Sequence, residues 1–357
     1  MNDVPWRPDA VIALAEKAGD WQLANLTTTP GTAWSEDSTT PTSWEQGVLF
    51  VGLMALAERS HRPEFREAVL ARSCLTGWQP GPRPYHADEY VIASSYLWSH
   101  RHGAGDAAIA PTRARLDAIL AVPSTASLDF STPDCQDRWC WCDALFMAPP
   151  VWLEMAKATG EAKYADFARA EFRATADYLY DPAESLFYRD SRFFAQRDDK
   201  GRKLFWSRGN GWVFASLARI LPLLQANDPD RAWYVDLFRA MATRLKTLQK
   251  PDGYWPPSLL GDAEASPPET SGTGFHTFAF AWGIKVGLLD RAAYEPAVRK
   301  GWAALVRALH PDGKLGYVQP VGYQPEQVGY DNTQFFGVGA FLLAAMAVAD
   351  LDLAVTP

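Results

Sequence analysis

The chain has 357 residues, 34 Lys+Arg against 42 Asp+Glu, 48% hydrophobic residues and 15 Trp. A net charge of −8 argues against a general nucleic-acid binder, which needs a basic face, and the 21% charged fraction fits a folded globular protein. No apolar run approaches the roughly 20 residues of a membrane-spanning helix, so no membrane partner is expected, and four Cys are too few for a disulfide scaffold.

The N-terminus, MNDVPWRPDA, has no basic segment leading into an apolar core, so a cytoplasmic location is expected. Helical periodicity then dominates. It predicts twelve helices at about 8–18, 43–59, 63–74, 87–101, 106–121, 139–159, 162–180, 207–225, 230–249, 272–289, 292–309 and 331–349. Polar, Gly- and Pro-rich loops fall at 27–42, 79–85 and 251–269. Only the stretches 186–189 and 315–319 read as short strands. Pro251-Asp252-Gly253 recurs as Pro311-Asp312-Gly313, each after a helix and before aromatics. Twelve helices make six hairpins of roughly 60 residues, each unable to bury its apolar face alone. Neither end reads as a polar capping repeat, which favours closure into a ring. The expected fold is all-α, an (α/α)6 barrel, as one catalytic domain over 1–357. A helical-repeat interaction protein is the alternative.

Four segments carry candidate chemistry. His86-Ala87-Asp88 opens a helix. Cys135 to Met147 reads CQDRWCWCDALFM and places Asp143 among Trp139, Trp141 and Phe146. A carboxylate at a helix start is often a cap or a dipole partner. The other reading is a carboxyl group desolvated among aromatics, and if Asp88 and Asp143 share one cleft, their repulsion favours keeping one of them protonated. The third segment, WSRGNGW at 206–212, sets Arg208 beside two Trp. A guanidinium there suits a sugar carboxylate, with a structural salt bridge as the other reading. Gly209 and Gly211 read as a tight turn and Asn210 as a cap. The fourth, ETSGTG at 269–274, offers Thr270, Ser271 and Thr273 as caps, with His276 as a core residue. Cys135, Cys140 and Cys142 have no zinc spacing, and no His pair joins them, so all four Cys read as reduced, buried thiols and no metal is expected. The Trp excess weakly favours a carbohydrate cleft, since flat rings stack on sugar faces.

Together these segments resemble glycoside hydrolase family 105 and, more distantly, family 88, the unsaturated uronyl hydrolases. The resemblance runs from about Trp44 to Phe335 and agrees with the barrel. It implies hydration of the C4=C5 double bond that polysaccharide lyases leave in a uronic acid. Asp143 is then the general acid and base and Asp88 the second carboxylate. Arg208, Trp212, Trp141, His86 and Trp44 hold the unsaturated ring. No cofactor is implied, and the partner is a small unsaturated oligosaccharide. One position departs from the rhamnogalacturonyl members, where a His follows Leu-Phe-Tyr: here Leu186-Phe187-Tyr188 is followed by Arg189. Arg189 is therefore expected at the substrate, and the sugar next to the uronyl group stays open between rhamnogalacturonan, arabinogalactan and ulvan-type fragments. A conventional inverting glycosidase, a lyase or an epimerase on the same barrel, and a non-catalytic binding protein, are the alternatives.

Overall fold

The computed structural model describes residues 4–27 and 39–354. Among them are thirteen α-helices: α1 (Pro8–Ala24), α2 (Trp44–Ala57), α3 (Pro63–Leu75), α4 (Ala93–Ser99), α5 (Ala110–Ala121), α6 (Ala144–Met147), α7 (Pro149–Thr159), α8 (Ala162–Leu179), α9 (Ser207–Ile220), α10 (Arg231–Thr247), α11 (Thr270–Lys285), α12 (Arg291–Ala308) and α13 (Phe335–Leu351). One small antiparallel hairpin joins β1 (Tyr180–Asp181) to β2 (Leu186–Phe187).

Two kinds of helix follow from two kinds of sequence. α13 reads FFGVGAFLLAAMAVADL and is buried along almost its whole length. A helix that is apolar all round belongs inside. α8 buries Tyr164, Ala168, Phe172, Thr175, Ala176 and Leu179, spaced to lie on one stripe, and turns its charges outward. The inner helices form a closed cycle. α2 packs on α4, α4 on α7, α6 and α7 on α9, α9 on α11, α11 on α13, and α13 returns to α2. The outer helices lie against this ring, α1 on α13 and α2, α3 on α2 and α4, α8 on α7, α10 on α9 and α12 on α11. This is the (α/α)6 barrel expected from the sequence. Closure depends on small residues where α13 meets α2: a Cβ on Gly52 would sit 2.6 Å from the carbonyl oxygen of Gly339.

The Pro-Asp-Gly repeat is conformationally real. Gly253 and Gly313 both have positive φ, 95° and 104°, which a side chain would strain. Gly253 N donates to Lys250 O, and Gly313 N to His310 O, so both turns close alike.

Several boundaries differ from expectation. The helix predicted over 139–159 does not start until Ala144, because the WCWC run is drawn away by tertiary contacts: Cys142 N donates to Arg189 O at 2.8 Å. Pro149 and Pro150 then begin a new helix, since proline lacks the N–H that a continuous helix needs. The helix predicted over 87–101 begins as a 3-10 turn, Ala87–Tyr90. The stretch 315–319 is no strand: Val318 N reaches Asn332 O, and Thr270 N reaches Tyr317 O. Most of the 27–42 loop lies outside the described residues. Cys135, Cys140 and Cys142 are free and buried as expected, whereas Cys74 is exposed near the end of α3.

Candidate active site

The loops preceding the inner helices meet at one end of the ring. They enclose a cleft of about 280 Å³ lined by Trp44, His86, Asp88, Trp141, Asp143, Arg189, Arg208 and Trp212. All eight residues singled out in the sequence therefore converge. Trp44 opens α2, Asp143 immediately precedes α6, and Arg208 and Trp212 lie in the first turns of α9.

Neither carboxylate is a cap. Asp143 makes no side-chain capping bond to α6. At the 3-10 turn, His86 takes the capping role: its Nδ1 accepts from Asp88 N at 3.3 Å. Both acids are instead shaped by burial. Burial pushes Asp88 up to about 6, against the pull of Arg83 and Arg189. Asp143 is also raised, first by burial and then by Asp88, while Arg189 and Arg208 oppose the rise. His86 is held down at about 3 by burial and by Arg83, so near neutral pH its ring is uncharged and Nδ1 can accept. Its ring lies 4.8 Å from that of Trp141.

Arg208 is not in a structural salt bridge. Nη1 donates to Gln319 O at 2.8 Å and Nη2 to Pro320 O at 2.7 Å. The guanidinium lies between the rings of Trp206 (4.3 Å) and Phe336 (4.7 Å). Burial pulls its pKa to about 10, which leaves it charged at neutral pH. Among the described residues it makes no ion pair within 4 Å, so the cleft holds a fixed cation without a bound counter-charge. Trp212 packs on Phe275 (4.3 Å) and Phe146 (4.9 Å) and is only 1% exposed, so it makes the floor. Trp44, stacked on Phe336 at 5.3 Å, is half-buried and forms a side wall.

The rest of the two Gly-rich motifs builds the frame. Asn210 is not a cap: inside α9, its Oδ1 accepts from Phe187 N at 2.8 Å and its Nδ2 donates to Phe187 O at 3.0 Å. This ties β2, two residues before Arg189, to the helix that carries Arg208. Gly209 and Gly211 are helical rather than turned, and keep α9 thin: a Cβ on Gly209 would meet Cys142 Sγ at 3.0 Å. The cap of α11 is Glu269, not the following hydroxyls. Its Oε2 accepts from Gly272 N at 2.8 Å, and Oε1 from Ser271 N at 2.9 Å and Gln319 N at 3.3 Å. Glu269 thus fixes the loop whose carbonyls hold Arg208. His276 is the buried core residue expected, with Nε2 3.3 Å from Ser207 Oγ. The cleft also takes Gln136, Trp206 and Tyr323, which the sequence reading did not assign. The first two lie inside motifs already recognised; Tyr323 has no local signal.

A model of glycosyl hydrolase family 88 matches residues 14–351. The chain belongs to glycosyl hydrolase family 88. The match falls on one of the two families that the motifs resemble, and the chain is a hydrolase on an (α/α)6 barrel. An unsaturated 3S-rhamnoglycuronyl hydrolase of Alteromonas sp. (strain LOR) is 38% identical over 349 residues, covering 93% of this chain and 84% of that protein. One of the same name from Formosa agariphila is 40% identical over 322 residues, covering 87% and 85%. A solved family 88 structure from Bacteroides vulgatus superposes with a TM-score of 0.84 at 29% identity, over 96% of this chain and 98% of that one. Among the described residues no helix is long and apolar enough to cross a membrane.

Proposed function

We propose that this enzyme removes a 4,5-unsaturated uronyl group from the non-reducing end of lyase-generated oligosaccharides by hydrating its double bond. Asp143 is the general acid: its proton goes to C4, and the electron pair of the alkene forms the new C4–H bond. The positive charge left at C5 is shared with the ring oxygen. Water adds at C5 and returns a proton to Asp143. The resulting hemiketal opens, and the glycosidic bond breaks without further catalysis. Asp88 is the second carboxylate and keeps Asp143 proton-rich; Arg208 pairs with the sugar carboxylate, and Trp44, Trp141 and Trp212 enclose the ring.

The observation that carries this reading is the meeting of two acids, both raised by burial, with one fixed, unpaired guanidinium in an aromatic cleft. Carboxyl groups raised by burial suit proton delivery, and the cation suits an anionic sugar. The relatives named unsaturated 3S-rhamnoglycuronyl hydrolases favour a uronyl group joined to rhamnose among the substrates left open by the sequence. The test is a panel of defined lyase products followed by the ultraviolet absorbance of the conjugated alkene. Loss of absorbance, fastest on rhamnose-linked uronyl groups, is expected. A folded protein that leaves the whole panel unchanged would refute the reading.

A further inference from the structure

The sequence resemblance puts position 189 against the substrate, yet its closest charged neighbours are protein carboxylates. Two groups converge on one oxygen of Asp143. Cys142 Sγ donates to Oδ2 at 3.4 Å, and Arg189 Nε lies 3.5 Å from the same Oδ2. Among the described residues no hydrogen bond reaches Oδ1. Arg189 Nε is buried and has no hydrogen-bond partner, so Asp143 is the group towards which it can tighten. The other side of the guanidinium is fixed: Nη1 donates to Asp190 Oδ2 at 2.7 Å. Asp190 is fully buried and is itself gripped by Arg192, whose Nε and Nη2 each donate at 2.9 Å. The main chain adds a further tie, Cys142 N to Arg189 O at 2.8 Å.

We propose that Arg189 is a positioning residue which, with Cys142, holds Oδ2 of Asp143 as a fixed acceptor, so that Oδ1 is the oxygen that gives the proton to C4 and takes one back from water. This rests on the hydrolase reading above, in which Asp143 is the acid. When the proton leaves Oδ1 for C4, the carboxylate charge grows beside the guanidinium, which stabilises it. Arg192, Asp190, Arg189 and Asp143 form a row of alternating charge, so the orientation of Arg189 does not depend on substrate. The charged and titratable groups that act on Asp143 are Arg189, Asp88, Arg208 and Cys142, with neutral His86 3.8 Å from Asp88.

The proposal separates from substrate binding by experiment. Arg189→Gln removes the cation that favours the Asp143 carboxylate, so the alkaline limb of kcat/KM moves to higher pH. With it kcat falls by about tenfold or more while KM changes by less than about threefold. Arg189→Lys, which keeps the charge but lacks Nε, restores the limb but not kcat. Arg189→Gln leaves Asp190 paired with Arg192, so the variant does not strand that buried carboxylate. The Asp143 carboxyl titration is also read without substrate, by carbon NMR of labelled aspartate assigned through Asp143→Asn. Arg189→Gln is expected to move it upward. An unmoved Asp143 titration overturns the proposal, as does a raised KM with the pH limb in place. Because the titration needs no turnover, failure of the hydrolase reading would be seen separately, as wild-type protein inactive on every uronide.

Discussion

Arg208→Lys keeps the positive charge and removes the geometry. The guanidinium holds two loop carbonyls, Gln319 O and Pro320 O at 2.8 and 2.7 Å, and is clamped between Trp206 and Phe336. Its plane is therefore set before substrate arrives, and a carboxylate can meet two N–H groups at once. A lysine ammonium has three donors on a flexible stem and cannot satisfy both carbonyls and a paired carboxylate. Loss of one charge-assisted hydrogen bond is worth roughly 1.5–3 kcal/mol, or about 10- to 150-fold in affinity. The assay is initial-rate loss of alkene absorbance against substrate concentration, with a melting curve as the control for folding. The expected outcome is KM raised within that range. A KM within about twofold of wild type, in a protein that melts normally, would refute the assignment of Arg208 to the sugar carboxylate.

Three further outcomes follow from the same geometry. Asp143→Asn is expected to lower kcat by at least about 100-fold, the usual cost of a lost general acid, and near-normal turnover would move that role elsewhere. Asp88 is held at about 6, so the folded protein binds its proton more tightly than the unfolded chain does. The stability this site contributes is complete below pH about 4 and is lost as pH rises through about 6. Asp88→Asn, which cannot ionise, should then be the more stable protein at pH 8, by about 1–3 kcal/mol, with the difference gone near pH 4. Denaturant midpoints at the two pH values check this, and a difference independent of pH contradicts it. Asn210→Ala strips the buried N–H and C=O of Phe187 of their partners and is expected to destabilise the fold by about 2–4 kcal/mol. A denaturant midpoint close to wild type would show that β2 is held by other contacts.

The barrel was legible because its pattern is repeated and physical. Inner helices such as α13 are apolar throughout, outer ones such as α8 are striped, and the turns at Gly253 and Gly313 punctuate the chain twice in one conformation. Asp143 and Arg208 were legible because each stands among aromatics in a short motif, whereas Trp44, His86 and Arg189 entered only through the family resemblance. What failed were local readings of residues whose partners are distant in sequence. Asn210 looked like a cap because Asn between glycines usually turns a chain; its partner is Phe187, 23 residues earlier. Gly209 and Gly211 looked like turn residues, while their use is thinness against Cys142 and Phe275. The WCWC run looked helical because it is apolar, and its main chain is claimed by Arg189. Tyr323 lines the cleft from the loop after Pro320, which Glu269 and Arg208 hold through residues 319 and 320, and no local pattern announces this.

Hydration of the alkene is most directly tested by running the reaction in heavy water and examining the first-formed product by NMR. Proton delivery from Asp143 predicts one deuterium at C4, placed on a single face, with the alkene gone and the released sugar carrying a carbonyl at C5. Early product that keeps its double bond and has no deuterium at C4 would mean that the bond to C1 is attacked directly, and hydration would be wrong.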